Sequence, residues 1–307
     1  MSEYILRAKQ LTKKFKNGFA LQNINISVKK GEIYGLIGQN GAGKSTLLRL
    51  ITGLAFPTSG SIERFGNGNP QEIAAAQKRM GAIIEHPALF PNMTAKENLE
   101  VHRLQKGIPG KEWIEKVLKL TGLYDAGEKK VKHFSLGMKQ RLGIAVALLG
   151  DPEFLILDEP TNGLDPTGIV EMRELIKKLN REKGLTVFIS SHILSELYQL
   201  ATVFGFIHKG KLLEEMTKKQ LDEKCRKHIR IKVDNPAKGA MVLDRYLSAG
   251  DFEVMPDGMI KLYRYLDDVR SVSAALTKSG LIIEHFSLSG DSLESYYTKL
   301  IGGAGNE

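Results

Sequence analysis

One glycine-rich string limits the fold of this 307-residue chain more than any other feature: G-Q-N-G-A-G-K-S, from Gly38 to Ser45. An apolar run at residues 33–37 precedes it, and apolar residues recur at helical spacing over residues 45–54. The sequence therefore predicts a buried strand that enters a helix through a flexible loop. Backbone N–H groups of such a loop converge on an anion, and the helix N-terminus adds partial positive charge.

The spacing of this string is that of a phosphate-binding loop, G-x-x-x-x-G-K-[ST]. Average residue frequencies would produce it by chance in about one chain in a hundred of this length. In such a loop the Lys44 ammonium counters the β and γ phosphates of a nucleotide, and the Ser45 hydroxyl is a ligand for Mg²⁺. A plain glycine turn before a helix is the alternative interpretation. The expected nucleotide contacts are Gly38, Gln39, Asn40, Gly41, Ala42, Gly43, Lys44, Ser45 and Thr46.

Two adjacent carboxylates follow a second apolar run, at residues 154–157. A buried strand there would deliver Asp158 and Glu159 to the carboxyl edge of a parallel sheet, where ligands of such sheets bind. We expect Asp158 to serve Mg²⁺ and Glu159 to hold or deprotonate an attacking water, a role worth about 10² to 10⁴ in rate. Acidic caps of a following helix are the alternative. Residues 186–189 form a further apolar run, and His192 after it is a candidate contact of the γ-phosphate.

Strand-like and helix-like segments alternate along most of the chain, which predicts an α/β fold with a mostly parallel sheet covered on both faces. We expect an inserted helical subdomain over residues 87–150, with a capping box at Thr94 and Glu97. The other segments are apolar runs at 33–37, 154–157, 186–189 and 203–207, an amphipathic stretch at 168–182, and insert helices at 111–120 and 138–149.

The pattern changes after about residue 211, and we place the domain boundary after residue 215. Residues 1–215 form the main domain in this interpretation, and residues 216–307 form a small α+β accessory domain. Within the latter, Asp291 is expected to cap a last helix, and residues 302–307 to fray. The remaining accessory elements are an alternating strand at 229–233, a helix at 269–276 and an apolar run at 281–283.

Composition excludes several other classes of protein. Apolar residues make up 42% and charged residues 26%, so wholesale disorder does not fit. Cys225 is the single cysteine, no apolar run reaches the length of a membrane helix, and the first ten residues lack a signal sequence, so we expect a cytoplasmic chain. The net charge of +9 predicts an anionic binding partner but does not distinguish between a nucleotide, a nucleic acid and an acidic membrane face.

A further motif lies between the loop and the carboxylates: F-S-L-G-M-K-Q-R at residues 134–141. With the other motifs in this order, residues 4–210 resemble the ATP-binding subunit of an ABC transporter, whose signature is LSGGQ followed by x-Q-R. The resemblance implies a P-loop NTPase sheet with a helical insert, the ABC ATPase fold, and ATP hydrolysis with Mg²⁺. It also implies that Ser135 and Gly137 hold the γ-phosphate of ATP bound to a second copy, in a head-to-tail dimer that sandwiches two ATP molecules.

Other positions acquire roles from the same resemblance. Phe15 matches the aromatic residue that stacks on adenine, although a core aromatic is the alternative. Asp165 lies in the loop that couples the two sites, although an Asp-Pro turn is the alternative, and His192 matches the switch histidine. Leu136 and Met138 depart from the signature, which keeps its serine and second glycine. A larger departure is Glu85, a carboxylate that can bind Mg²⁺ where the family usually has a glutamine.

Glu85, the variant signature and the C-terminal appendage together resemble the bacitracin and lantibiotic self-protection branch of the family. In that branch the subunit powers a separate membrane permease that removes peptide antibiotics. The chain would then work on the inner face of the cell membrane and touch the permease near Glu85, Leu89, Phe90 and Pro91. The alternatives are an exporter of another substrate, a non-catalytic regulatory subunit, and an ABC-type ATPase acting on nucleic acid or ribosomes, although no nucleic acid is expected as a partner.

Overall fold

The computed structural model describes residues 3–69, 72–247, 250–290 and 292–303. The chain divides into two compact units, Met1–Lys218 and Lys219–Glu307. The strands of the first unit are β1 (Tyr4–Phe15), β2 (Gly18–Lys29), β3 (Ile33–Ile37), β4 (Ser59–Arg64), β5 (Met80–Ile83), β6 (Phe154–Asp158), β7 (Thr186–Ser191), β8 (Val203–His208) and β9 (Lys211–Thr217). Its helices are α1 (Lys44–Thr52), α2 (Ile73–Lys78), α3 (Ala95–Gln105), α4 (Glu112–Leu120), α5 (Leu136–Ala147), α6 (Pro166–Lys183) and α7 (Leu194–Tyr198).

A six-stranded sheet in the order β5-β6-β7-β3-β8-β9 forms the centre of the first unit. All pairs are parallel except β8 with β9, which is antiparallel. Every residue of β3, β6 and β7 is buried, as expected for parallel strands covered on both faces. The prediction of a mostly parallel α/β sheet is confirmed. Because β3, β6 and β7 are adjacent, their carboxyl ends bring the three predicted motifs to one edge.

A second sheet, with the antiparallel order β2-β1-β4, was not predicted from the sequence. The middle strand, β1, pairs irregularly with both β2 and β4, and its residue Gln10 has a φ of 48°. Such bulges interrupt the two-residue alternation by which a strand is recognised. The sheet nevertheless supplies buried aliphatic residues, among them Leu11, Leu21 and Ile24, to the same core as β3 and α1.

Helix ends in the first unit follow local chemistry. Gly43 precedes α1 with a φ of 109°, and Gly53 ends it with a φ of 78°. The helix is therefore shorter than predicted, and Leu54 lies outside it, 69% exposed. Thr94 and Glu97 form the predicted capping box at the start of α3. Other bounds differ from prediction by a few residues: α4 begins at Glu112, α5 spans Leu136–Ala147 and α6 spans Pro166–Lys183.

The second unit has its own buried aliphatic core and its own sheet. After α8 (Lys218–Cys225) come β10 (His228–Val233), α9 (Pro236–Leu247), β11 (Phe252–Val254), β12 (Ile260–Leu262), α10 (Val269–Lys278), β13 (Ile283–Ser289) and α11 (Leu293–Gly303). From β10 to β13 this is a β-α-β-β-α-β arrangement with an antiparallel sheet in the order β11-β12-β10-β13.

Several predictions for this unit need correction. The apolar run at 281–283 mostly precedes its strand, because β13 begins at Ile283. Residues 302 and 303 belong to α11 and are not frayed, whereas residues 304–307 and the expected cap Asp291 lie outside the described residues. Within the part of the chain that the structure describes, no helix has the length and apolar character needed to cross a bilayer.

Candidate active site

The phosphate loop runs from the end of β3 into α1, and its shape depends on glycine at two positions. A side chain on Gly38 would lie 2.6 Å from Ile207, and Gly43 combines a positive φ with backbone 2.7 Å from the place of a Cβ. The Lys44 side chain is 5% exposed and turns back over the loop. Its Nζ donates to the carbonyl oxygens of Gly38 at 2.7 Å and Gln39 at 3.2 Å. The loop thus surrounds a buried ammonium group.

Glu159 is the point at which the three predicted motifs meet. Its Oε1 lies 3.0 Å from Lys44 Nζ, and its Oε2 lies 2.8 Å from Nδ1 of His192. Burial alone would raise the pKa of Glu159, but the hydrogen bonds and charges of Lys44 and His192 outweigh it and lower the pKa below its ordinary value. Glu159 is therefore ionised at neutral pH and able to accept a proton or a hydrogen bond.

The backbone of Glu159 is held in a sparsely populated conformation, with a φ of 46°. Ser190 at the end of β7 fixes this turn. Its buried hydroxyl donates to Oδ1 of Asp158 at 2.6 Å and accepts from the backbone N–H of Glu159 at 3.0 Å. Sequence reasoning missed Ser190 as a functional residue, although it stands two places before His192 at the same sheet edge. One hydroxyl therefore orients both carboxylate residues.

A cavity of about 330 Å³ opens beside the loop. Its lining includes the predicted residues Lys44, Ser45 and Glu159. Phe19 also lines it, whereas Phe15 is not among its lining residues. Both aromatic side chains are 52% exposed. The remaining lining residues are Ala20, Asn40, Gly41, Gly43, Thr46, Lys209 and Gly210, of which the sequence had singled out those of the phosphate loop.

The oxygen donors at the loop suit a magnesium ion that is also held by nucleotide phosphates. Ser45 contributes a hydroxyl, and the buried carboxylate of Asp158 is already oriented by Ser190. No cluster of three or more acidic, histidine or cysteine side chains able to bind a metal occurs among the described residues. Mg²⁺ at nucleotide sites binds through one or two protein ligands, waters and substrate phosphates.

Glu85 does not line the cavity beside the loop. Its carboxylate forms an ion pair with Arg49, which lies one helical turn after Ser45 in α1. Glu85 also has a φ of 65°, so its backbone occupies the left-handed region that favours glycine. Both partners are about half exposed. The pair links the phosphate-loop helix to the segment that follows β5.

The predicted signature residues stand at a helix start, separate from the loop cavity. Ser135 is exposed, and its hydroxyl accepts from the N–H of Met138 at 3.2 Å, which caps α5. Neither Ser135 nor Gly137 lines the cavity beside the loop. Asp165 likewise caps α6 by accepting from the N–H of Gly168 at 3.2 Å. Within one chain, the structure therefore joins the loop, the carboxylates and the histidine, but not the signature.

A buried strand, a phosphate loop, a helix and an ion-paired glutamate at one sheet edge define a P-loop nucleoside triphosphatase. The family described as ABC transporter matches residues 21–162. With the relatives that follow, this shows that the chain belongs to the ABC transporter family, as an ATP-binding subunit with ATPase activity and the ABC ATPase fold.

Two curated relatives are similar over most of the chain. The bacitracin transport ATP-binding protein BcrA of Bacillus licheniformis is 45% identical over 302 residues, which cover 97% of this chain and 98% of the relative. The lantibiotic transport ATP-binding protein SrtF of Streptococcus pyogenes is 46% identical over 211 residues, covering 69% of this chain and 90% of the relative. The first similarity extends through the C-terminal unit, and the second covers about two thirds of the chain.

Solved structures agree with the fold. The cbiO1 protein of Clostridium perfringens, part of an ABC transporter complex, matches with a TM-score of 0.67 and 27% identity, covering 81% of this chain and 98% of that chain. A dimeric ATP-binding cassette, solved in a post-hydrolysis state bound to ADP and Pi, matches with a TM-score of 0.63 and 28% identity, covering 69% of this chain and 98% of that chain. The predicted ABC ATPase fold is confirmed.

Proposed function

We propose that two copies of this ATPase close head to tail around two ATP molecules and drive a separate membrane permease that removes peptide antibiotics of the bacitracin or lantibiotic type. The observation that carries the ATPase chemistry is the contact of Glu159 with both Lys44 and His192 at the phosphate loop. The full-length similarity to a bacitracin transport protein supports the substrate class. Residues 1–215 act as the motor domain, and residues 216–307 as an accessory domain.

Binding of ATP replaces the partner of Lys44. In the structure the ammonium is held by two loop carbonyls and by Glu159. The β and γ phosphates carry more negative charge than one carboxylate and therefore draw Lys44 toward them. Glu159 is then released to orient and deprotonate a water, and His192 contacts the γ-phosphate. The other phosphate contacts in this proposal are Gly38, Gln39, Asn40, Gly41, Ala42, Gly43, Ser45 and Thr46.

Mg²⁺, held by Ser45 and Asp158, would neutralise charge that develops on the transferred phosphoryl group. Glu85 is a further candidate ligand, once its carboxylate leaves Arg49. For the adenine base we propose stacking on Phe15, with Phe19 closer to the phosphate loop. Alanine variants at these two positions would separate their roles, because loss of stacking weakens binding of ATP but not of inorganic triphosphate.

A second chain completes the site. Ser135, which is exposed, and Gly137 lie at a helix start, and such a start can bind an anion. Neither residue lines the loop cavity of its own chain. In a two-fold pair this helix start on one protomer would face the loop of the other, and Asp165 would lie in the loop between the two sites. Closure would transmit force to the permease, and hydrolysis would reopen the pair.

The permease contact is proposed at the segment after β5. Phe90 is 41% exposed, and Asn98 of α3 holds its backbone by accepting from its N–H at 2.7 Å and donating to its carbonyl at 3.1 Å. Leu89 and Pro91 flank it. An exposed aromatic residue on a fixed backbone is suited to docking in a partner's pocket. Through this contact the chain would work on the inner face of the cell membrane.

The test is co-purification with a candidate permease, a membrane protein of about six apolar helices without its own ATPase, followed by ATPase and resistance assays. We expect bacitracin-type peptides to stimulate ATP turnover of the complex and the two genes together to raise resistance of a sensitive host. Lys44→Ala should abolish both effects, while Lys9→Ala, at an exposed pair with Glu63, should leave them intact. Turnover without peptide stimulation or resistance would contradict the substrate class alone. Turnover that survives Lys44→Ala would contradict the ATPase site.

A further inference from the structure

A groove in the C-terminal unit shares no lining residue with the cavity beside the phosphate loop. It lies between α9 and α10 and has a volume of about 580 Å³. The residues along it repeat at the same spacing on both helices, i, i+3, i+4 and i+7, so each helix presents one continuous stripe. The stripes are Lys238, Met241, Val242 and Arg245 on α9, and Ser271, Ala274, Ala275 and Lys278 on α10, with Ser279 after it.

The floor of the groove is apolar and its ends are basic. Val242 is buried, Met241 is 54% exposed, and the two alanines of α10 leave the groove open. Lys238 lies near the end of α10, since its Nζ is 3.9 Å from the place of a Cβ on Gly280. Lys238 and Lys278 therefore stand at one end and Arg245 at the other.

The three cations are available for a partner. Among the described residues that line the groove none is acidic. The side chains of Lys238, Arg245 and Lys278 form no ion pair or hydrogen bond with any residue that the structure describes. Unlike them, Lys232 of β10 pairs with Glu284 at 3.4 Å, and Arg226 pairs with Asp251. Within the described part of the chain, the groove thus combines unpaired positive charge with the exposed apolar side chain of Met241.

We propose that this groove binds an acidic amphipathic helix of a partner polypeptide. Small residues such as Ala274 and Ala275 let a third helix approach at the usual interaxial distance of about 8–10 Å. Seven residues of helix span about 10 Å, which is the axial separation of Lys238 and Arg245. Acidic residues at i and i+7 of the partner would reach both basic ends, and aliphatic residues at i+3 and i+4 would cover Met241 and Ala274.

The shape favours a helix over a lipid surface. A bilayer is flat on this scale and cannot enter a depression between two helices, whereas a helix fits it ridge into groove. Met241 is the sole large apolar side chain along the groove that is strongly exposed among the described residues. The phosphate backbone of a nucleic acid would leave the Met241 side chain uncovered. The proposal does not depend on the transported substrate or on the ATPase site.

The test uses the full chain and two synthetic helical peptides, measured by fluorescence anisotropy. The acidic peptide carries glutamates at i and i+7 around two leucines, and the basic peptide has lysines in place of the glutamates. We expect the acidic peptide to bind at least roughly tenfold tighter, with affinity that falls as salt is raised. Equal affinities for the two peptides would overturn the proposal, as would preferential binding to anionic phosphatidylglycerol vesicles or to RNA.

Two double variants with the same change in net charge test whether the peptide binds in the groove. Lys238→Glu with Lys278→Glu should weaken the acidic peptide roughly tenfold or more and tighten the basic peptide, which a merely unfolded variant could not do. Arg230→Glu with Lys261→Glu is the matched control, because these paired residues of β10 and β12 lie on the other face of the same sheet. An unchanged peptide preference in the groove variant, or the same reversal in the control, would contradict the assignment.

Discussion

At the scale of single residues, Glu159 and the phosphates of ATP would compete for one ammonium group, that of Lys44. Lys44 is nearly buried, and Glu159 is its one carboxylate partner among the described residues. The same glutamate is the expected base for water. The ion pair with Lys44 favours the ionised form of the Glu159 carboxylate and orders it, and in the proposed mechanism the phosphates of ATP release it. Ser190 orients Asp158, because its hydroxyl donates to the Asp158 carboxylate and accepts from the backbone N–H of Glu159.

Glu159→Gln is expected to separate binding from hydrolysis. Turnover should fall by about 10² to 10⁴, because an amide cannot accept the proton of the attacking water. Affinity for ATP should rise, because Lys44 loses its ionic partner. Steady-state turnover and binding of a fluorescent ATP analogue measure the two effects. Lys44→Ala is the control that weakens binding itself, and undiminished turnover in Glu159→Gln would remove the residue from its role.

Ser190→Ala should reduce turnover and increase the Mg²⁺ concentration needed for half-maximal rate, because Asp158 would lose the donor that orients it. The buried carboxylate would lack a partner, at a cost of about 1–3 kcal/mol in the free energy of unfolding. Magnesium titrations and urea unfolding measure these changes. Ser191→Ala is the neighbouring control, since among the described residues that hydroxyl is bonded only by the N–H of Ile193, at 3.0 Å. Equal magnesium dependence in both variants would argue against the orienting role.

At the scale of elements, the site depends on how α1 is joined to its surroundings. The helix begins directly after the phosphate loop, and Arg49 on it pairs with Glu85 beyond β5. The segment that carries Phe90 starts a few residues later and is fastened to α3 by Asn98. The chain from residue 85 to residue 90 therefore connects the ion pair with α1 to the proposed permease surface.

A double-mutant cycle on Arg49 and Glu85 is expected to give a coupling free energy of about 0.2–1 kcal/mol, since both side chains are half exposed and screened by solvent. The single alanine variants and the double variant would be compared by urea unfolding. Peptide-stimulated turnover of the permease complex should change far more than stability. The pair of Arg79 with Glu153 is the control, with similar exposure and no link to α1. Zero coupling in both readouts would leave the pair without a role.

At the scale of the whole molecule, the proposed function makes one chain an incomplete catalyst. The loop, the carboxylates and the histidine meet at one sheet edge, while Ser135 caps a separate helix start that is exposed. In the proposed mechanism a second copy completes the site, and a two-fold arrangement supplies it without any new residue. The separately folded C-terminal unit adds a surface whose groove serves a different partner.

Mixing two inactive variants should restore activity if the pair is head to tail. Chains carrying Lys44→Ala and chains carrying Ser135→Glu should each be nearly inactive. In a mixed pair one site has both defects and the other has neither, so random pairing should recover about one quarter of the wild-type rate. ATP turnover of the mixture measures this. Absence of recovery despite demonstrated mixed pairs would mean that Ser135 does not act across the interface.

Local chemistry let the sequence alone determine a large part of this protein. The strand before Gly38, the helix after Ser45 and the capping box at Thr94 each depend on contacts within a few residues, so spacing is sufficient to predict them. The mostly parallel sheet also followed, because alternating strands and helices admit few other arrangements. The roles of the site residues remain predictions that the variants above address.

Tertiary structure decided what depends on contacts between distant segments. Bulges hid β1 from its alternation pattern, so the antiparallel sheet emerged only with its partners in place. The strand order that sets β7 between β6 and β3 brings His192 and Ser190 to the carboxylates. Packing between distant elements also places Phe19, and not Phe15, in the lining of the loop cavity. Periodicity fixes which face a residue takes within its element, whereas packing fixes which element lies opposite.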